Sequence, residues 1–82
     1  MSNVNLLYKC NNILGEGITY SSDSDNLFWL DINNQSKLYK LNLGNDEREI
    51  FELPEIVTAT SIKSQYEIIL VSNNGISLFD LQ

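Results

Sequence analysis

The chain contains no histidine. Imidazole is the commonest general base near neutral pH and a leading transition-metal ligand, so relays and zinc sites built on histidine are excluded within one chain. The single cysteine, Cys10, cannot form an internal disulfide, and with no histidine to activate it, it reads as a packing residue. No apolar run exceeds four residues, far short of the ~20 needed for a membrane-spanning helix. Basic residues are few: five against eleven acidic ones, a net charge of −6, which repels nucleic acid and anionic membrane surfaces. The opening Met1-Ser2-Asn3-Val4-Asn5 has neither the basic start nor the apolar core of a signal peptide, so the expected compartment is the cytoplasm.

What is present is the composition of a globular chain: 43% hydrophobic and 20% charged residues over 82 positions. A chain this short buries only about 60% of its unfolded surface, which makes a lone monomer marginal and leaves little room for a deep pocket. No window repeats apolar residues at three-and-four spacing for the length of a helix, so an all-β chain is expected. Short strands are predicted at Leu6 to Cys10, Gly17 to Ser21, Leu27 to Ile32, Lys37 to Leu43 and Glu49 to Leu53. Leu27 to Leu30 is apolar without alternation, as in a central strand covered on both faces. Glu49 to Leu53 is more polar, fitting a sheet edge, and Pro54 ends it. The turns between them are built from Ser22 to Asn26, Asn33 to Ser36 and Gly44 to Asp46.

The second half repeats the first. At a spacing of 40 residues Phe28-Trp29-Leu30 falls on Ile68-Ile69-Leu70, Asn33-Asn34 on Asn73-Asn74, and Leu38-Tyr39-Lys40-Leu41 on Leu78-Phe79-Asp80-Leu81. A period near 40 with four short strands is what a propeller blade requires. Strands at Val57 to Ile62, Glu67 to Ser72 and Ile76 to Leu81 make a second blade that lacks its outer strand. The expected divisions are a leading strand in 1–12, a first blade in 13–54 and an incomplete second blade in 55–82.

Leu14-Gly15-Glu16-Gly17-Ile18 and Leu27-Phe28-Trp29-Leu30-Asp31-Ile32 resemble the opening blade of the regucalcin/gluconolactonase family, whose pattern runs Leu-Gly-Glu-Gly-Pro and then Leu-Tyr-Trp-Val-Asp-Ile. Ile18 replaces the usual proline, and Tyr20 stands where tryptophan is common. The likeness continues through Lys37 to Leu43, Leu53-Pro54-Glu55 and Gly75-Ile76. It implies part of a six-bladed β-propeller, about two four-stranded blades. In the family a leading strand completes the last blade and closes the ring.

The same resemblance implies that Glu16 is a metal ligand, since the family's glutamate in this motif binds a divalent cation in the central channel: calcium, zinc, manganese or magnesium. Flanking glycines suit such a site by letting the backbone bend sharply. The family's other ligands come from blades further along, so the catalytic residues are open. Asp23-Ser24-Asp25-Asn26 superficially suggests a calcium loop but lacks the EF-hand glycine and distant glutamate, and reads as a turn capped by its own side chains. Asp31 is expected to be structural, bonding the next turn, and Trp29 and Tyr39 to pack in the core and between blades. Two functions follow: metal-assisted hydrolysis of a sugar lactone, as the resemblance implies, or a non-catalytic β assembly or truncated remnant that keeps the blade packing and a metal, the second being expected of a single, inactive copy. Completion of the ring would come from a chain supplying the missing blades or from two more copies. In a homotrimer each leading strand would finish its neighbour's second blade, and three Glu16 carboxylates would gather on the axis around a divalent cation.

Overall fold

The computed structural model describes residues 3–33 and 35–82, and Met1, Ser2 and Asn34 lie outside the described residues. Within them the chain is all β: β1 (Gly15–Ser21), β2 (Asn26–Ile32), β3 (Ser36–Asn42), β4 (Arg48–Glu52), β5 (Val57–Ile62), β6 (Glu67–Ser72) and β7 (Gly75–Asp80). They form two antiparallel meanders, a four-stranded sheet β1-β2-β3-β4 and a three-stranded sheet β5-β6-β7. This is the arrangement of one full propeller blade followed by three strands of the next.

The turns close as their side chains dictate. In the β1–β2 turn Asp25 takes a left-handed conformation (φ 59°), and Asn42 ties the turn to β3 by donating to the Ser24 carbonyl and to Asn26 Oδ1 at 3.0 and 2.9 Å. In the β3–β4 turn Asn42 Oδ1 accepts from the Gly44 and Asn45 amides, both at 2.9 Å. These short polar side chains mimic backbone partners, which is why asparagine and aspartate dominate the connections.

Between the sheets lies one core of Phe28, Leu30, Leu38, Leu53, Val57, Ile68, Leu70 and Leu81. Phe51 and Phe79 meet edge to face at its outer end, 5.4 Å between centroids. Ser36, fully buried, staples the sheets: its hydroxyl accepts from the Val57 amide at 2.8 Å and donates to the Val57 carbonyl at 3.1 Å. Glu55 braces the same junction by accepting from Ser72 Oγ at 2.8 Å and from Asn74 Nδ2.

Two expectations need correction. Leu6 to Cys10 forms no strand, because a strand needs a ladder partner and none of the described strands pairs with it. It runs instead across the first sheet, where Tyr8 meets Trp29 edge-on at 5.8 Å and lies 6.5 Å from Tyr39, while the Arg48 guanidinium sits 4.3 Å from the Tyr8 ring centroid. The repeat spacing of 40 holds for β3 on β7, where Leu38 falls on Leu78 of the matching face, and fails for β2 on β6, because the β6–β7 turn is one residue shorter than the β2–β3 turn. It superposes Leu30 on Leu70, yet Leu30 points forward onto the second sheet and Leu70 points back onto the first. A slip of one position exchanges the two faces of a strand, so the true counterpart of the Phe28, Leu30, Leu38 face is the face bearing Ile69, Val71, Ile76 and Leu78. For the same reason β6 is not covered on both sides as β2 is: Ile68 and Leu70 are buried and Val71 is 40% exposed.

Candidate functional site

Glu16 stands near the start of β1, the first strand of its sheet, and its carboxylate region is open to solvent. Three features place it. Asp31, buried at the end of β2, accepts from the Ile13 and Leu14 amides through one oxygen, at 2.9 and 2.8 Å. The Ile32 amide donates to the Leu14 carbonyl at 2.9 Å. Immediately after Glu16 the ladder breaks: Glu16 pairs with Leu30 and the next pair is Thr19 with Phe28, so a bulge lies between them. Gly17 occupies the bulge at φ +67°, the left-handed region that glycine enters without cost, and a side chain there would face Leu30 Cδ1 at 3.7 Å. Glu16 is thus presented by a bent inner strand clamped from behind by Asp31. Asp31 is structural, as expected, and among the described residues it bonds the segment leading into β1 rather than the turn after β2.

Beside Glu16 the first sheet carries a groove of about 490 Å³, bounded by Ile18, Leu27, Trp29 and Leu41 on the sheet and by Tyr8 and Cys10 on the leading segment. Trp29 and Tyr39 stack at 5.3 Å with rings 17° apart. Burial, and then the charge of Asp31, raise the Tyr39 hydroxyl above its ordinary pKa of 10.0. Cys10 is half-buried, contacted through its sulfur by Asn12 Nδ2 at 3.4 Å. Asn12 was missed by the sequence reading; its Oδ1 is buried without a hydrogen-bond partner, and nothing in its local pattern marked it.

The aspartate-rich turn is consumed by its own bonding, as its sequence suggested. Tyr20 donates to Asp25 Oδ1 at 2.9 Å and Asn26 Nδ2 to Ser24 Oγ at 2.9 Å. The Tyr20 hydroxyl is held above its ordinary pKa chiefly by that hydrogen bond.

No three histidine, cysteine, aspartate or glutamate side chains come together as a metal-holding group among the described residues. The described residues of one chain therefore do not fit a complete cation site. Glu16 supplies one carboxylate beside a largely apolar groove, and the hard divalent cations take six or more oxygen ligands.

The model of the family described as the SMP-30/gluconolactonase/LRE-like region matches residues 14–82. The chain belongs to this family. The structure is similar to that of regucalcin from Agrobacterium tumefaciens, a calcium-binding protein, with a TM-score of 0.82 and 27% sequence identity. That match covers 90% of this chain and 25% of the regucalcin chain, so the described unit spans about a quarter of the length of its structural relative. No curated protein matches the sequence. Membership in the SMP-30/gluconolactonase family and the regucalcin-like geometry identify the two sheets as propeller blades, the first complete and the second lacking its fourth strand.

Proposed function

We propose that the chain is a two-blade unit of a metal-dependent, lactonase-type propeller, and that Glu16 supplies one oxygen ligand to a divalent cation at the centre of the completed ring. The observation that carries this is the presentation of Glu16: an open carboxylate next to a bulge on the first strand of a blade, with Asp31 fixing the approach to it. Calcium is the first candidate, since the regucalcin relative is named a calcium-binding protein. Zinc, manganese and magnesium are tested beside it. Among the described residues no further metal-ligating side chains gather with Glu16; on this reading the unit gains activity only with the other carboxylates, which come from further blades contributed by more copies or by a partner chain.

In the completed site the cation would polarise the ester carbonyl of a sugar lactone toward attack by water. This chain's own contribution is positional: Gly17 allows the bend, Asp31 holds the strand entry, and Glu16 offers its oxygens. The test is hydrolysis of a sugar lactone by the native particle with each metal, compared with Glu16→Gln. Metal-dependent turnover lost in Glu16→Gln supports the reading. Turnover equal in the two proteins, or turnover untouched by a chelator, removes it.

A further inference from the structure

The two ends of this unit are unlike each other, and each offers what the other lacks. The forward face of the first sheet, carrying Phe28, Leu30 and Leu38, is wholly buried against the second sheet. Its counterpart on the second sheet carries Ile69, Val71, Ile76 and Leu78, and here Ile76 is 78% and Leu78 58% exposed. A soluble surface rarely leaves four contiguous aliphatic side chains uncovered without a partner for them. In this molecule the face type already has one: the backward face of a following blade.

The backward face at the other end belongs to the first sheet. It presents the groove of Ile18, Leu27, Trp29 and Leu41, with Ile18 70% exposed. Alongside runs the leading segment, which has no ladder partner and leaves Leu6 76% exposed. β7, meanwhile, is the last strand of its sheet and has one edge without a strand beside it. An open strand edge and an unpaired extended segment are complementary needs.

We infer that a second copy of this chain is the occupant: the Ile69, Val71, Ile76, Leu78 face of one copy docks in the Ile18, Leu27, Trp29, Leu41 groove of the next, and Leu6 to Cys10 pairs with the free edge of the docked β7. The contact continues the interface already formed inside the chain, an aliphatic forward face on the backward face of the next blade. It is heterologous, because the two surfaces differ, and a repeated heterologous contact closes into a ring when the rotation per copy divides a full turn, as two blades of six do. Three copies give six blades. The inference rests on the two-blade reading above and names its partner.

Two exposed positions separate the faces. Ile76→Lys spoils only the forward face and Ile18→Lys only the groove. Wild type runs as three times the 9.3 kDa chain mass in native mass spectrometry, and each variant alone runs as a monomer with unchanged strand circular dichroism. Mixed in equal amounts, the two variants form a one-to-one dimer, since the Ile18→Lys copy keeps its forward face and the Ile76→Lys copy keeps its groove. Leu78→Lys repeats the first arm at an independent exposed position. The inference is overturned if wild type is a monomer, if Ile18→Lys alone dimerises, which would mean that two forward faces pair, or if the mixture stays monomeric. A ring that hydrolyses no lactone leaves the docking standing and removes the lactonase reading. A wild-type monomer that gains metal-dependent hydrolysis only with a second protein supplying further blades does the reverse.

Discussion

Replacing Ser36 by alanine removes one oxygen and strands two backbone groups. The Ser36 hydroxyl is the partner of both the amide and the carbonyl of Val57, at 2.8 and 3.1 Å, and both residues are fully buried between the sheets. Leaving a buried polar group without a partner costs about 1–3 kcal/mol. Two such groups, partly relieved by local adjustment, set the expected loss at about 2–4 kcal/mol. Against a total stability of about 5–15 kcal/mol for a folded domain, that is a large fraction in a chain this small. With a urea dependence of about 1 kcal/mol per molar, the midpoint followed by Trp29 fluorescence falls by about 2–4 M. Ser61→Ala, at an exposed position of β5, serves as control and stays within about 0.5 kcal/mol. A Ser36→Ala midpoint within about 0.5 M of wild type would refute the reasoning, because it would mean that Val57 does not depend on this hydroxyl. The position matters beyond stability: Val57 opens β5, so the same two bonds fix where the second blade begins.

Asp31→Ala removes the acceptor of two amides at the entry to β1; since Ile13 and Leu14 are exposed and water can replace it, the loss is held to about 1–3 kcal/mol, and amide exchange at Ile13 and Leu14 should accelerate while that of β6 does not. Gly17→Ala forces a side chain into the left-handed region at φ +67°, costing about 1–3 kcal/mol by urea titration; an unchanged midpoint would show that the bulge relaxes. The raised Tyr39 hydroxyl means that the folded chain holds this proton more tightly than the unfolded chain, so its contribution is intact below the ordinary value of 10.0 and is lost as pH rises through and beyond it. Urea midpoints should therefore begin to drop as pH reaches the ordinary tyrosine value of 10.0 and go on dropping above it, and Tyr39→Phe should flatten the drop.

The sequence made the strands legible wherever a turn residue bounded an apolar run: β2, β5 and β6 fall within a residue of their expected ends, because Asp25-Asn26, Pro54 and Asn73-Asn74 punctuate the pattern. The facing of the second blade was not legible. Ile68 to Val71 is apolar at every position, and a run without alternation does not say which side is core, so a spacing of 40, right for Leu38 on Leu78, looked acceptable for Leu30 as well, where the register requires an odd one. Leu6 to Cys10 misled for a related reason: its composition is that of a strand, but a strand is a property of two segments, and none of the seven described strands pairs with it. At the site, Glu16 was visible only through the family motif, since an acidic residue between glycines is ordinarily a solvated turn. The clamp by Asp31 onto Ile13 and Leu14 spans 17 and 18 residues and has no local signature, and the orphaned oxygen of Asn12 has none either.

What covers the two open blade faces decides whether the chain is a unit of a ring, and the mass of the native particle answers that most directly. Native mass spectrometry of the wild-type chain in calcium is expected to give three chains with bound metal, and the trimer should be lost when residues 1–11 are deleted. A chain that remains a stable monomer at nanomolar concentration, with Ile76 and Leu78 still open to solvent, would contradict it.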